Sequence, residues 1–223
     1  MQKTILCLSI VFLTVSTMLA QDWAQLKRYA DENTKVGPPM EKEKRIVFMG
    51  NSITEAWSAI YPEFFADKPY INRGISGQTT PQMLVRFRQD VIQLKPYAVV
   101  ILAGTNDIAG NTGPAELPEI AGNIFSMAEL ARSNGIKVLL CSVLPAADYP
   151  WRPGLKPAGK IAKLNAMLKD YAMQHNIIWV DFYTCMNDGN GGLKPELTYD
   201  GVHPNLEGYK VMSKILEESL QKL

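Results

Sequence analysis

Arg45-Ile46-Val47-Phe48-Met49-Gly50-Asn51-Ser52 is the stretch that decides the fold. It is an apolar run without alternation that ends at a glycine, followed by two polar residues. A strand that is apolar on both faces belongs in a parallel sheet covered on each side. The same pattern recurs along the chain, predicting strands at 45–49, 70–72, 98–103, 137–143 and 177–182.

Helical periodicity fills the gaps between these runs. Thr80 precedes Pro81, a cap followed by proline in the first turn, and Leu84, Phe87, Val91 and Leu94 then mark one face. Leu117, Ile120, Ile124, Met127 and Leu130 mark the next helix, which stops at Asn134-Gly135. Ile161, Leu164, Met167, Leu168 and Tyr171 mark another, and Leu206, Tyr209, Met212, Ile215, Leu216 and Leu220 a last one after Asn205. Strands alternating with helices imply right-handed crossovers and a three-layer α/β/α sandwich on a five-stranded parallel sheet. In such sheets ligands bind beyond the carboxyl ends of the strands.

The ends of the chain read differently. Residues 1–20, MQKTILCLSIVFLTVSTMLA, have the charged, apolar and small-residue order of a secretory signal peptide. Their apolar part is too short for a membrane span, which needs about 20 residues. The expectation is a cleaved leader, a secreted or periplasmic protein, and no stable membrane insertion afterwards. Residues 21–44 carry an amphipathic pattern (Trp23, Leu26, Tyr29, Ala30) and a Gly37-Pro38-Pro39 break. They are expected to form an N-terminal helix and linker before one domain at 45–223.

Charge and scarce residues exclude several classes. Lys+Arg number 23 against Asp+Glu 22, and the two balance once Lys3 leaves with the leader. Balanced charge without a basic run argues against a nucleic-acid binder. The chain has only two histidines, His175 and His203, and neither CxxC nor HExxH, so no zinc site or other cofactor is expected. Asp188-Gly189-Asn190-Gly191-Gly192 does not follow the order of a calcium loop and reads as a flexible turn. Cys141 and Cys185 could pair in an oxidising compartment, and the expectation is two buried thiols. Oligomeric state is not encoded in any of these features.

Four segments could carry chemistry. Ser52, after the first strand, is either an N-cap or a nucleophile at a helix N-terminus. Asn72-Arg73-Gly74-Ile75-Ser76-Gly77-Gln78-Thr79 follows the second strand and lacks the Gly-Lys-Ser/Thr ending of a phosphate loop. Asn106, in Gly104-Thr105-Asn106-Asp107, is either a turn residue or an oxyanion donor, with Asp107 bracing the loop. Asp200-Gly201-Val202-His203-Pro204 sets a carboxylate three residues before an imidazole, so that one ring nitrogen is held and the other can take a proton. Together these supply a nucleophile, oxyanion donors and an Asp–His pair in the order acyl transfer needs. His203 is the base this set requires. His175 ends a helix, where capping suffices, and is expected to be dispensable.

Gly50-Asn51-Ser52-Ile53, Gly74-Ile75-Ser76-Gly77, Gly104-Thr105-Asn106-Asp107 and Asp200-Gly201-Val202-His203-Pro204, in this order, resemble the SGNH (GDSL-type) hydrolase superfamily. Within it the chain looks like platelet-activating-factor acetylhydrolase and lysophospholipase L1-like esterases, from about Arg45 to Leu220. The resemblance implies a flavodoxin-like SGNH hydrolase fold and a serine esterase. It implies Ser52 as nucleophile, His203 as base and Asp200 as its orienter. It also implies an oxyanion hole of the Ser52 and Gly77 N–H groups and the Asn106 side chain. The family's Gly-Asp-Ser is here Gly50-Asn51-Ser52, a change expected to alter loop bracing more than mechanism.

Residues 144–158, with Tyr149-Pro150-Trp151-Arg152-Pro153, form a long proline-rich loop on the active side of the sheet, which makes Trp151 and Arg152 candidate substrate contacts. Trp57 and Tyr61 read as core. The expected reaction is hydrolysis of short-chain esters, acetyl foremost, from carbohydrate or other small-molecule substrates. A lysophospholipase or thioesterase activity is the alternative. A non-catalytic carbohydrate-binding module on the same fold is the alternative of another class.

Overall fold

The computed structural model describes residues 22–223; the expected leader lies outside them. Strands β1 (Ile46–Gly50), β2 (Tyr70–Gly74), β3 (Ala98–Leu102), β4 (Lys137–Cys141) and β5 (Ile178–Val180) form one sheet in the order β2-β1-β3-β4-β5, every pair parallel. Helices α1 (Ala30–Val36), α2 (Ser52–Ile60), α3 (Thr80–Asp90), α4 (Thr105–Ile108), α5 (Leu117–Ser133), α6 (Ala158–Gln174), α7 (Phe182–Met186) and α8 (Leu206–Leu220) complete the fold. No helix among the described residues is long and apolar enough to cross a membrane.

The two-sided burial expected of the strands is present in the central strands β1, β3 and β4, while the edge strands β2 and β5 are only partly covered. Val47 and Met49 of β1, Val99 and Ile101 of β3 and Val138 and Leu140 of β4 point into one core with α3, α5 and α6. Their alternate neighbours Phe48, Val100 and Leu139 point into a second core with Ile53 and Trp57 of α2 and Tyr209, Met212 and Leu216 of α8. The strand period of two therefore divides one apolar run between two layers. Trp57 is core, as expected, its indole N–H donating to Ser213 Oγ at 3.1 Å.

The strand order reverses between β1 and β3, because the chain leaves β1 for β2 on one side and then returns to place β3 on the other. This is the switch point at which open α/β sheets bind ligands. The segments after β1, β2 and β3 converge there.

Four expectations are corrected. The N-terminal stripe does not make one helix: α1 begins only at Ala30, and Trp23 and Leu26 are exposed while Ala24 and Tyr29 are buried. The carbonyls of Trp23, Ala24 and Leu26 accept side-chain amides from Gln82, Gln78 and Gln89, which replaces helical bonding. The run 177–182 stops as a strand at Val180, because Asp181 caps α7 by accepting the Thr184 N–H at 2.9 Å. Cys185, on that short helix, is exposed rather than buried, whereas Cys141 is buried in β4, where desolvation pushes its thiol pKa up. Phe87, Val91 and Leu94 are in the core as expected, but α3 ends at Asp90, its buried face also takes in Met83, Arg86 and Asp90, and Leu84 is only partly covered. The 188–192 segment is a tight turn closed on itself, with Asp188 Oδ1 accepting the Asn190 and Gly192 N–H groups.

Candidate active site

Strand β1 delivers Ser52 to the switch point. Gly50 is needed at the strand end because a Cβ there would collide with Thr54 Oγ1 and the Leu102 carbonyl. Asn51, not Ser52, is the N-cap of α2, its Oδ1 accepting the Ile53 N–H at 3.0 Å. Capping by Asn51 leaves the Ser52 hydroxyl free for another partner. Ser52 is then the first residue of the helix, where the N–H groups lack intrahelical acceptors and the dipole favours negative charge.

That partner is His203. Ser52 Oγ and His203 Nε2 are 3.0 Å apart, and His203 Nδ1 lies 2.8 Å from Asp200 Oδ2. An ionised carboxylate can only accept, so Nδ1 carries the ring proton and Nε2 is left to accept from the serine hydroxyl. Burial alone would raise the Asp200 pKa. The His203 and Val202 backbone N–H groups and the His203 ring outweigh it and hold the carboxyl below its usual range. The turn is closed from behind by Thr198, whose hydroxyl donates to the His203 carbonyl at 2.7 Å and accepts the Gly201 N–H at 3.0 Å. Thr198 was not visible from sequence, since a threonine six residues before Pro204 carries no pattern of its own.

The loop after β2 and the helix after β3 complete the arrangement. Gly77 has φ +76°, a left-handed conformation that glycine adopts without penalty. Its carbonyl accepts Asn111 Nδ2 at 3.2 Å, and the Gln78 N–H of that same peptide unit donates to the Ile75 carbonyl at 3.3 Å, which closes the turn around Gly77. Asn106 is buried on α4, and its Nδ2 donates to the Gln78 carbonyl at 3.0 Å. One carboxamide N–H is thereby used for orientation and the second is left over. Asp107 braces the loop as expected, its Oδ1 accepting the Thr80 N–H at 2.9 Å, and desolvation raises its pKa.

The proline-rich loop after β4 brings Trp151 next to this group. Its ring centroid is 5.9 Å from that of His203 and 4.9 Å from that of Tyr149, on which it stacks, while 42% of its surface stays exposed. Tyr149 is buried beneath it and shares a 2.9 Å hydrogen bond with Thr105, the neighbour of Asn106. Arg152 is differently placed. Its Nη1 donates to the Ala109 and Gly110 carbonyls, tying the loop to the segment after α4.

A hydroxyl paired with an imidazole, an imidazole paired with a carboxylate and N–H donors from two further loops can attack a carbonyl carbon and steady the oxyanion that results. The comparisons with known proteins agree with that chemistry. The profile of the GDSL-like Lipase/Acylhydrolase family matches residues 48–211. The chain is 31% identical to the esterase TesA of Pseudomonas aeruginosa over 71% of its own length and 74% of that protein's. It is 28% identical to platelet-activating factor acetylhydrolase IB subunit alpha2 of Rattus norvegicus, over 82% of this chain and 79% of that one. A crystal structure of a GDSL-like lipase from Bacteroides thetaiotaomicron superposes with a TM-score of 0.87 at 52% identity, covering 89% of this chain and 98% of that one. The chain belongs to the GDSL-like lipase/acylhydrolase family and is a carboxylic ester hydrolase.

Proposed function

We propose that the protein acts outside the cytoplasm, after loss of residues 1–20, as a serine esterase that removes short acyl groups, acetyl foremost, from carbohydrate substrates. Ser52 is the nucleophile, His203 the general base and then acid, and Asp200 its orienter. The Ser52 and Gly77 backbone N–H groups and the Asn106 carboxamide form the oxyanion hole. The observation that carries this reading is the continuous chain Ser52 Oγ, His203 Nε2, His203 Nδ1, Asp200 Oδ2, with links of 3.0 and 2.8 Å.

In the first half-reaction Ser52 Oγ bonds to the ester carbonyl carbon as its proton passes to His203 Nε2. The oxyanion collapses, the bond to the alcohol oxygen breaks, and Nε2 returns the proton to that oxygen. Water, deprotonated by the same nitrogen, then attacks the acyl-serine, releases the carboxylic acid and restores Ser52.

Two observations support the substrate class. The leaving alcohol must take its proton from Nε2, so it lies on the His203 side of the site, where the exposed Trp151 ring offers the flat apolar surface that a sugar ring's C–H face can cover. The relative from Rattus norvegicus is itself named as an acetylhydrolase. An acyl-chain series of nitrophenyl esters, run beside an acetylated oligosaccharide, tests the reading. It predicts the highest kcat/KM on acetyl esters and turnover of the acetylated oligosaccharide; a preference for C8 or longer chains would show a lysophospholipase or thioesterase type of activity instead.

A further inference from the structure

Arg86 and Asp90, four residues apart on α3, are both fully buried and paired at 3.0 Å. A charge pair at a position that could hold apolar side chains generally contributes little net stability, because desolvation offsets the attraction. Its contacts show what it does accomplish. Besides Asp90, the guanidinium reaches two other parts of the molecule: Nη2 donates to the Gly50 carbonyl at 3.0 Å and Nε to Gln78 Oε1 at 2.6 Å.

Both acceptors belong to the site. Gly50 ends β1 two residues before Ser52, and its carbonyl also accepts the Ile75 N–H at 3.1 Å, from the loop that carries Gly77. Gln78 follows Gly77, and its own carbonyl is the group that orients Asn106. Its side-chain N–H₂ donates outward to the Ala24 carbonyl at 2.8 Å. The N-terminal segment reinforces the same junction, since the Tyr29 hydroxyl donates to the Gly74 carbonyl and Asn33 Nδ2 donates to Asp90 Oδ1 at 2.6 Å. One planar, rigid fork thus spans the turn bearing Ser52 and the loop bearing Gly77.

We infer that Arg86 is a positioning residue, which through Gly50 and Gln78 fixes the distance between Ser52 and the two other oxyanion donors, Gly77 and Asn106, with the N-terminal segment clamping the same loop. The inference rests on the reading of Ser52, Gly77 and Asn106 given above. Oxyanion contacts strengthen only in the transition state, so a loosened clamp must show in kcat rather than in KM.

The test compares Gln78→Leu, Gln78→Glu and Arg86→Lys with wild type on nitrophenyl acetate, counting turnover per folded molecule from circular dichroism. Gln78→Leu removes the Arg86 acceptor and the Ala24 bond, and Arg86→Lys keeps the charge but not the fork. Each is expected to lower kcat about ten- to a hundredfold, the cost of a displacement of about an ångström. KM is expected to stay within about threefold, as for an interaction made only in the transition state. Gln78→Glu keeps an acceptor for Nε but loses the Ala24 bond as Gln78→Leu does, so the comparison isolates the Arg86 contact, and it is expected to recover most of the loss. Gln78→Leu leaves the Arg86–Asp90 pair intact, so it decides the matter even if Arg86→Lys yields no folded protein. Folded Gln78→Leu with wild-type kcat, whatever its melting temperature, would overturn the inference. Failure of the underlying reading has a different signature, which is activity surviving in Ser52→Ala.

Discussion

Asp200 and His203 are joined twice: Oδ1 accepts the His203 backbone N–H at 2.7 Å, and Oδ2 lies 2.8 Å from ring Nδ1. One carboxylate therefore fixes both the backbone that carries the imidazole and the rotation of the imidazole itself. Asp200→Asn replaces an acceptor-only group by one that can present N–H₂ to Nδ1, which favours the tautomer with its proton on Nε2. That tautomer cannot take the serine proton. The expected loss in kcat is about 10⁴-fold, the scale of the corresponding change in serine proteases, read from steady-state kinetics on nitrophenyl acetate.

The same carboxylate ties stability to pH. Its pKa in the folded protein lies below the ordinary 3.8, so its contribution is present above that value and is lost as pH falls through the lowered one. Melting curves of wild type and Asp200→Asn recorded between about pH 6 and pH 2.5 should show a wild-type advantage that shrinks at the acid end. An advantage that grew toward acid would contradict the sign of the shift.

On the proposed assignment, Asn106→Ala removes one oxyanion donor and leaves the nucleophile and base in place. Turnover is expected to fall about 10²- to 10³-fold without being abolished. The Gln78 carbonyl loses its partner as well, so the melting temperature should also drop. Equal falls in kcat and kcat/KM are the diagnostic result, since the interaction is made with the transition state alone.

Trp151 presents exposed surface beside His203, and the proposed function assigns that surface to substrate. Trp151→Ala is expected to raise KM for an acetylated oligosaccharide about three- to tenfold, the scale of one aromatic contact, with a smaller change in kcat. An unchanged KM would remove Trp151 from the substrate-binding surface and weaken the carbohydrate reading.

Much of this arrangement was legible along the chain, for identifiable reasons. The run 45–50 announces a strand buried on both faces, and the polar residue after it falls at the sheet's switch point by the geometry of parallel sheets. Asn106 and the Asp200–His203 spacing were readable for the same reason, as polar groups placed just beyond apolar segments or inside a short turn. Arg86 and Asp90 were not. Charged residues next to an apolar stripe ordinarily face solvent, and only the three-dimensional path of the Gly50 and Gln78 loops supplies the acceptors that make burial tolerable. The N-terminal helix starts later than its stripe suggests, because amphipathic spacing does not reveal that the carbonyls of Trp23, Ala24 and Leu26 are taken by glutamine side chains on the neighbouring loop and α3. Asp181, one polar residue inside an otherwise apolar run, is the cap that ends β5 early, and Cys185 on the α7 that follows is exposed.

The central claim is that Ser52 is the nucleophile, and kcat of Ser52→Ala on nitrophenyl acetate tests it most directly. The account predicts a loss on the order of 10⁶-fold, with the fold and melting temperature retained. Wild-type turnover by the folded Ser52→Ala protein would contradict it.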